Sequence, residues 1–453
     1  MKIIIAGCGS VGSSLAQKLS DGENEITIID RDSEKLHRVT DNIDVMPVTG
    51  NMTSHQVLKE AGIEDADLFV AVTDSDETNL LGCVVARRTG HCQTIARIKN
   101  PIYNEEATFL KREFGIAMVV NPERAAALEI FRIFQYPSAI RVDSFAKGIV
   151  ELLHIKLSEN SPLSGMEISK LNTSLGTRVL ICAVTRNEEL IIPGGGFILQ
   201  SGDTISVVAK RLDAVTFLRK INMAKNRVKD AVLIGSGEIT YYLARLLIPT
   251  GCKVTIVEKN KSVCEDLSVT FPEATIICGD ASDPELIAEE GLDKADAIAS
   301  ITNNDEENIL MSLYAGKIST AKTVTRIDRV NFRSVVSEMN IGSTICPRVI
   351  TSEYITRFIR AFNTDNDSEV ESLYGLSDGR AEAMEFIIKK DSSFIGIPIM
   401  DLKFKPNTLI GCIARNRQVI IPSGHDTLQA GDSVLVIISG YTISSIREIF
   451  AQE

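Results

Sequence analysis

The chain begins MKIIIAGCGSVG over residues 1–12, and this stretch decides the fold of its first part. Lys2–Ala6 is a short, largely apolar run typical of a buried β-strand. Behind it, Gly7, Gly9 and Gly12 form a Gly-x-Gly-x-x-Gly turn. A strand that runs directly into such a turn predicts the start of a βαβ unit that binds a nucleotide.

A helix and a second strand are expected after the turn. Val11, Leu15 and Leu19 lie four residues apart, as on one face of a helix that packs on a sheet, and Asp30 ends the next apolar run. In dinucleotide-binding units the glycines give a tight turn, an approach for the pyrophosphate and close helix packing, and the acid binds ribose hydroxyls. A carboxylate there favours NAD or an adenine nucleotide over NADP, while the neighbouring Arg31 keeps NADP open.

The same pattern returns in the second half of the chain. Gly235-x-Gly237 lies 228 residues after Gly7-x-Gly9. The chain is therefore predicted to be a tandem duplication of a unit of about 225 residues. Further matches, at offsets of 228 or 229, pair Asp30 with Glu258, Gly50 with Gly279, Thr73 with Thr302, Asp76-Glu77-x-Asn79 with Asp305-Glu306-x-Asn308, Arg97 with Arg326, and Ser201-Gly202-Asp203 with Ala430-Gly431-Asp432.

Each unit is predicted to contain two subdomains, which places the chain in the α/β class. The first is a Rossmann-like, doubly wound parallel sheet, since apolar runs alternate with helical patterns. The second is a small α+β subdomain of short β-runs, glycine-rich turns and a closing helix. The expected boundaries are 1–121, 141–224, 229–349 and 372–453.

Strands and connections can be placed within this plan. Helical patterns are expected at Asn121–Gln135 and Pro347–Phe362, and a polar, flexible linker at Asn363–Ser372. The strands of the first unit are predicted at Lys2–Ala6, Glu25–Ile29, Asp44–Val48, Leu68–Val72, Thr94–Ile98 and Met118–Val120, and those of its small subdomain include Arg178–Val184 and Thr204–Ala209.

The second glycine turn departs from the pattern at its third glycine. Thr240 occupies that position, and a β-branched residue there is expected to hold the helix farther from the strand and to weaken or alter nucleotide binding. Glu258 still supplies the acid.

Polar residues also follow other predicted strands, at the edge where ligands bind in doubly wound sheets. Thr hydroxyls there can bond ribose or phosphate, and Arg can pair with phosphate. The acidic string that starts at Asp74 is equally well read as a solvated helix cap. The residues concerned are Gly50-Asn51 with Gly279-Asp280, Thr73-Asp74 with Thr302-Asn303, and Arg97 with Arg326.

Composition excludes several other classes of protein. The 453 residues carry 48 Lys and Arg against 60 Asp and Glu, and a net charge of −12 repels nucleic acid. No uncharged stretch approaches the roughly 18 apolar residues of a membrane span, and no signal peptide precedes the first strand, so a cytoplasmic chain is expected. Nine scattered cysteines and five histidines show no metal-ligand spacing, which predicts reduced thiols and no metal site.

Taken together, these residues resemble the regulators of potassium conductance, the RCK or KTN family. The resemblance covers essentially the whole chain. The strings that carry it are MKIIIAGCGSVG at 1–12, VAVTDSDETN at 70–79, IARI at 95–98, GDASD at 279–283 and NNDEEN at 303–308.

The resemblance implies a peripheral regulatory subunit on the inner face of the cell membrane. It implies a homotetrameric ring beneath an integral membrane potassium-transport subunit of the TrkH or TrkG type, gated by NAD or NADH and by ATP or ADP. Carried over to this chain, the first site comprises Gly7, Cys8, Gly9, Ser10, Val11, Asp30, Thr73, Asp74 and Arg97, and the second comprises Gly235, Ser236, Gly237, Glu238, Ile239, Glu258, Asp280, Thr302 and Arg326.

The residues themselves argue against catalysis. A dehydrogenase on this fold needs a proton donor or acceptor beside the nicotinamide, often a Tyr-x-x-x-Lys pair or a His. No Tyr-x-x-x-Lys occurs and no His lies beside a motif, so binding without chemistry is expected. Two alternatives stay open: a regulator of an antiporter or efflux system, which would share these motifs, and a soluble NAD-dependent oxidoreductase.

Overall fold

A computed structural model gives the fold as two compact units, Met1–Ile130 with Lys229–Phe358 and Phe131–Val228 with Ile359–Glu453. Each unit therefore combines the equivalent halves of the two repeats. The structure describes residues 1–20, 24–146, 149–223, 228–329, 336, 339, 341–362, 369–376, 380–390, 392–416, 418–441, 443 and 445–451.

The first compact unit, Met1–Ile130 with Lys229–Phe358, contains two six-stranded parallel sheets, one from each repeat. Their strand orders are β3-β2-β1-β4-β5-β6 and β14-β13-β12-β15-β16-β17. In the strand Lys2–Ala6 every residue except Lys2 is buried, as is typical of a parallel sheet covered by helices. The strands are β1 Lys2–Ala6, β2 Glu25–Asp30, β3 Met46–Thr49, β4 Leu68–Ala71, β5 Gln93–Arg97, β6 Met118–Val120, β12 Asp230–Ile234, β13 Lys253–Glu258, β14 Thr275–Cys278, β15 Ala297–Ser300, β16 Lys322–Arg326 and β17 Ser343–Ile345.

Helices lie between most of these strands in the chain, and one further helix follows the last strand of each sheet. The predicted stripe of Val11, Leu15 and Leu19 is buried on α1, as is its repeat on α10. The helices are α1 Ser10–Ser20, α2 Ser33–Thr40, α3 His55–Glu60, α4 Asp76–Gly90, α5 Pro101–Glu105, α6 Ala107–Phe114, α7 Pro122–Gln135, α10 Glu238–Leu247, α11 Lys261–Thr270, α12 Pro284–Glu289, α13 Asp305–Ile318 and α14 Pro347–Phe362.

The second unit contains two five-stranded sheets with antiparallel pairs, in the orders β10-β9-β11-β8-β7 and β18-β19-β22-β20-β21. One apolar core includes Leu152, Cys182 and Val208 from the first sheet with Cys412 and Leu435 from the second. The elements are β7 Arg141–Phe145, β8 Val150–Lys156, α8 Ile168–Leu175, β9 Val179–Arg186, β10 Glu189–Ile191, β11 Thr204–Lys210, α9 Arg211–Lys220, β18 Glu369–Leu376, β19 Ala381–Ile387, β20 Thr408–Arg415, β21 Gln418–Ile420 and β22 Ser433–Ser439.

The predicted fold class is confirmed, and so are the six strands of the first sheet, whose ends differ by at most two residues. Two local expectations are wrong. The second small subdomain closes with a short 3-10 turn at Ile446–Ile449 rather than a helix, and the chain from Glu369 onward is a strand rather than a linker. The rest of the predicted linker, 363–368, lies outside the described residues.

The repeated Gly-Asp dipeptides hold equivalent ion pairs in the small subdomains. Arg186 donates to both carboxylate oxygens of Asp203, at 2.7 and 2.8 Å. Arg415 does the same to Asp432, at 2.7 Å for each oxygen. Both carboxylates are only 1% exposed. Bidentate Arg–carboxylate pairs of this kind are among the stronger polar contacts in proteins. Each pair therefore stabilises the contact between a strand of its sheet and the glycine turn that carries the Asp.

The Arg186–Asp203 pair predicts that the free energy of unfolding decreases at acidic pH. Burial raises the pKa of Asp203, but the hydrogen bonds from Arg186 and the Gln200 backbone outweigh it, so the pKa lies below its ordinary value. The stabilisation is therefore present above the unfolded-state pKa of about 4 and is lost as the pH falls through the folded-state pKa. We expect Asp203→Asn to lower the free energy of unfolding by about 3 kcal/mol at pH 7 and to make that free energy less dependent on pH. Thermal unfolding between pH 3 and 7, roughly spanning that titration, measures both, and equal acid dependence in wild type and variant would contradict the prediction.

No helix among the described residues is both long and apolar enough to cross a membrane.

Candidate functional site

The first glycine turn has the geometry that its sequence predicts. Gly7 has a φ of +110°, and a Cβ there would lie 3.0 Å from the backbone of Val72 and Thr73. A Cβ on Gly12 would lie 1.8 Å from the Gly7 carbonyl oxygen, so helix α1 packs against the turn as only glycine allows. Around Gly9 no heavy atom lies within 4 Å of the Cβ position, which leaves room for a ligand to approach the backbone.

Asp30 braces this turn from the end of β2. One of its carboxylate oxygens accepts the Cys8 backbone N–H at 2.6 Å, and the other accepts the Asp32 N–H at 3.0 Å. Because each carboxylate oxygen has two lone pairs, the group retains capacity to accept ribose hydroxyls. Asp30 thus has one role within the fold and a second available to a ligand.

Asn79 joins the ends of β4 and β5. Its side-chain oxygen accepts from the Thr73 backbone N–H at 2.9 Å and hydroxyl at 2.7 Å. Its amide nitrogen donates to the carbonyls of Thr73 and Arg97, at 3.1 and 2.9 Å. Asn79 is fully buried. This one side chain therefore positions two of the predicted site residues.

Arg97 lies between two carboxylates. It is 3.4 Å from Asp74, whose side chain is 98% exposed, and 3.3 Å from Glu123, which is buried. Burial raises the pKa of Glu123, and the charge of Arg97 opposes that rise. The guanidinium Nε has no hydrogen-bond partner, although it is buried. Arg97 is therefore held in place while part of its donor capacity stays unused.

The acidic string after β4 divides between two roles. Ser75 caps helix α4 by accepting the Thr78 N–H at 3.1 Å, as the helix-cap interpretation requires. Asp76 is buried and accepts the backbone N–H groups of Lys99 and Asn100, so it is not solvated.

A cavity of about 320 Å³ at the carboxyl edge of the first sheet brings most of the predicted residues together. Two cationic side chains outside the predicted set, Arg31 and Lys35, also line it. Cys8 lies behind the turn, 4% exposed, with its thiol 3.5 Å from the Lys35 carbonyl. The predicted residues that line the cavity are Gly7, Gly9, Ser10, Val11, Asp30, Thr73, Asp74 and Arg97.

The second turn shows how Thr240 is accommodated. Gly235 keeps a φ of +104°, but the Thr240 hydroxyl donates to the Gly235 carbonyl at 2.6 Å. In such a hydrogen bond the Thr240 Cβ lies beyond its hydroxyl oxygen as seen from the Gly235 carbonyl oxygen. The Thr240 Cβ is therefore farther from that carbonyl oxygen than the 1.8 Å that would separate a Cβ on Gly12 from the Gly7 carbonyl oxygen. Thr240 is thus accommodated by a hydrogen bond to the turn. The effect on ligand binding stays a prediction.

The rest of the second site has different partners. Glu258 accepts the Asn260 N–H at 2.7 Å. Lys259 lies 3.4 Å from Asp280 and 2.6 Å from Glu307, and hydrogen bonds from Ser282 hold the pKa of Asp280 below its ordinary range.

The remaining predicted residues of the second site lie on the turn and on the neighbouring strand ends. Asn308 repeats the role of Asn79, because it bonds Thr302 and the Arg326 carbonyl. Arg326 donates to Asn303 at 2.7 Å and Asp328 at 2.8 Å. Ser236, Gly237, Glu238 and Ile239 follow Gly235, and Ile239 is 1% exposed.

The two parallel-sheet subdomains touch beside the first site. Tyr242 on α10 donates to the Lys99 carbonyl at 3.2 Å and accepts from the Asn121 amide at 2.9 Å. Arg245, also on α10, pairs with Glu105. Since α10 starts at the second glycine turn, these contacts connect the neighbourhoods of both predicted sites.

The sequence interpretation missed three positioning residues, Asn79, Asn308 and Glu123. The signal for the two asparagines was present, because the Asp-Glu-x-Asn string recurs at an offset of 229. That string reveals the repeat and predicts a helix cap, but neither pattern indicates a role for its Asn. Glu123 had no such signal, since only the fold brings α7 to Arg97.

No cluster of three or more His, Cys, Asp or Glu side chains is placed to hold a metal ion in the part of the chain that the structure describes.

Comparisons with known proteins add family information to this geometry. The family model described as the TrkA-N domain matches residues 3–122 and 231–347. The model described as the TrkA-C domain matches residues 152–222 and 383–451.

Full-length relatives match as well. The chain is 30% identical to a Trk system potassium uptake protein TrkA homolog of Archaeoglobus fulgidus over 99% of this chain and 100% of that one. It is 31% identical to the Trk system potassium uptake protein TrkA of Vibrio alginolyticus, over 99% and 98% of the two chains. The structure of the GsuK channel bound to NAD matches with a TM-score of 0.63 and 17% identity, covering 97% of this chain and 76% of that one, which indicates a shared fold.

Proposed function

Because the chain belongs to the TrkA family, with TrkA-N and TrkA-C domains each present twice, we propose that it is a nucleotide-binding regulator of potassium uptake. It binds nucleotide at its parallel sheets and controls an integral membrane transport subunit of the TrkH or TrkG type. The names of its relatives, which are potassium uptake proteins of a Trk system, support the transport role.

The cavity at the first sheet carries this proposal. It joins a glycine turn open at Gly9, the N-terminus of helix α1 and the acid Asp30. Helix N-termini attract phosphate, because their backbone N–H groups lack partners and the helix dipole favours negative charge. Arg97 and Lys35 add positive charge on the same cavity. A pyrophosphate at the turn with a ribose against Asp30 uses all of these groups, which fits NAD, NADH, ADP or ATP.

The first site should bind nucleotide more tightly than the second. Gly12 lets helix α1 pack against the turn, whereas the larger Thr240 takes its place in the second repeat and its hydroxyl donates to the Gly235 carbonyl. In addition, Lys259 is already paired with Asp280 and Glu307, so a phosphate there competes with two carboxylates. The two sites of one chain therefore differ in nucleotide affinity because their residues differ at these positions.

Nucleotide acts in this proposal by favouring one conformation over another, since a ligand shifts an equilibrium only by its difference in affinity for the two states. The hydrogen bonds that Tyr242 donates to the Lys99 carbonyl and accepts from the Asn121 amide are suited to pass such a shift between the two parallel-sheet subdomains. The proposed assembly is a homotetramer, peripheral on the inner face of the cell membrane.

Asp30→Ala is expected to weaken nucleotide binding at the first site by about tenfold or more, because ribose loses its acceptor and the Cys8 N–H loses its partner. Isothermal titration with NADH and with ADP measures the loss. Glu34→Ala, an exposed change on the next helix, is the matched control and should bind like wild type. The nucleotide half of the proposal fails if purified wild-type chain binds neither nucleotide at any salt concentration.

The partner is tested by pull-down from detergent-solubilised membranes, followed by mass spectrometry. Recovery of a polytopic protein with potassium-filter repeats supports the proposal. Recovery of an antiporter or an efflux protein instead supports the alternative regulator, and nicotinamide turnover with a metabolite would indicate an oxidoreductase.

A further inference from the structure

Two cysteines meet beside the second predicted site. Cys264 lies on helix α11 and Cys278 is the last residue of β14. The Cys264 thiol donates to the Glu258 carbonyl at 3.3 Å, and the Gly279 N–H donates to that same oxygen at 2.9 Å. Both contacts share one acceptor atom, so the Cys264 sulfur lies next to the backbone that carries Cys278.

The two cysteines differ in exposure. Cys264 is only 7% exposed, whereas Cys278 is exposed. Burial raises the pKa of Cys264 to about 11, and Cys278 adds to the rise. An oxidant therefore reaches Cys278 first, and Cys264 is shielded from it.

The two cysteines also adjoin predicted binding residues. Glu258 pairs with Cys278 across adjacent parallel strands, and Gly279 and Asp280 follow Cys278 directly. The first repeat carries no sulfur at the equivalent positions, which are Leu36 and Thr49. The pair is thus a feature of the second site alone.

We propose that Cys264 and Cys278 form a reversible disulfide that weakens nucleotide binding at the second site. The oxidant is a peroxide. The Cys278 thiolate attacks one peroxide oxygen and becomes a sulfenic acid while one water leaves, and Cys264 then attacks that sulfur and expels a second water. Two thiols and one hydrogen peroxide yield one disulfide and two waters, and a small-molecule thiol reverses the step.

The disulfide changes the site through geometry. An S–S bond of about 2.05 Å is much shorter than a thiol contact, so it draws the end of β14 and helix α11 together. It also removes the Cys264 hydrogen from the Glu258 carbonyl. Because Glu258 and Asp280 are predicted to hold the ligand, their displacement lowers affinity. This second half of the inference rests on the proposed function, whereas the bond itself does not.

The bond is tested on the full chain treated with hydrogen peroxide, quenched with catalase and digested without reductant by a protease that cleaves after Glu. Glu265 and Glu273 lie between the two cysteines, whereas no Lys or Arg does. Mass spectrometry should find the peptides of Cys264 and Cys278 joined, and dithiothreitol should separate them. Cys264→Ser is the matched variant, in which the link is absent and Cys278 is oxidised to the sulfinic acid instead. Wild-type chain that gives sulfinic acid at Cys278 with no link to Cys264 overturns the proposal.

The effect on binding is tested by titrating ADP into reduced and oxidised protein. Oxidation should weaken the second site by about tenfold, and dithiothreitol should restore it. The first site should be unchanged, and so should a Cys278→Ser variant, which lacks the exposed thiol. A fully linked protein with unaltered ADP binding overturns the regulatory half. Failure of ADP and NADH to bind reduced wild type would instead count against the proposed function, and the linked peptide would still decide whether the disulfide forms.

Discussion

Gly12→Ala is expected to destabilise the first parallel-sheet subdomain by about 3 kcal/mol and to abolish nucleotide binding at the first site. The added Cβ would lie 1.8 Å from the Gly7 carbonyl oxygen. This neighbour is backbone, which cannot rotate away as a flexible side chain can. The turn is also tied down, because the Gly7 N–H donates to the Ile29 carbonyl at 2.8 Å. The variant must therefore move helix α1 or break the turn.

Hydrogen exchange of peptides from β1 and α1 resolves this loss within a chain of several subdomains, and titration with ADP measures binding. Gly9→Ala is the matched control, since no heavy atom lies within 4 Å of its Cβ position. That variant should exchange like wild type yet bind ADP more weakly, because the new methyl faces the proposed ligand. Wild-type exchange in Gly12→Ala would show that the turn is looser than its contacts imply.

The second repeat already contains a larger residue at this position, and its tolerance has a visible cause. Thr240 is completely buried and its hydroxyl bonds the Gly235 carbonyl at 2.6 Å. A side chain at Gly12 would clash with the Gly7 carbonyl, whereas Thr240 makes a hydrogen bond with the equivalent Gly235 carbonyl. Alanine at Gly12 supplies the bulk without the hydroxyl, which is why we expect it to be worse than the natural threonine.

Asn79→Ala is expected to cost about 3 kcal/mol, because it leaves buried backbone groups without partners. Four hydrogen bonds end on this side chain, from or to the backbone of Thr73 and Arg97 and the Thr73 hydroxyl. Their loss releases the ends of β4 and β5. Since both strands end at the cavity, binding at the first site should fall together with stability.

Exchange of the β4 and β5 peptides and titration with ADP measure the two effects. Arg88→Ala, an exposed change late in the same helix, should stay within about 0.5 kcal/mol of wild type. Asn308→Ala tests the repeat, because Asn308 bonds Thr302 and Arg326 in the same way. Its effect should appear in β15 and β16 and leave β4 and β5 unchanged. Equal protection of β4 and β5 in Asn79→Ala and wild type would refute the positioning role.

Local patterns carried much of the architecture. The apolar run Lys2–Ala6 and the stripe on α1 report burial directly, because each follows the period of its element. The repeat then transferred the same interpretation to the second half. By contrast, the polar composition of 363–372 predicted a linker, although residues from Glu369 form a strand whose pairing with Ala381–Ile387 sequence reading does not reveal.

The tandem plan, the glycine turns, the acids at Asp30 and Glu258 and the family resemblance can all be read from the sequence, since they depend on short strings of residues. Which of these residues contact one another depends on the tertiary structure. Asn79 contacts the Arg97 carbonyl, Glu123 lies beside that arginine, and the Cys264 thiol contacts the Glu258 carbonyl. Each of these contacts joins separate elements. Such contacts depend on strand order and helix packing, which spacing along the chain does not encode.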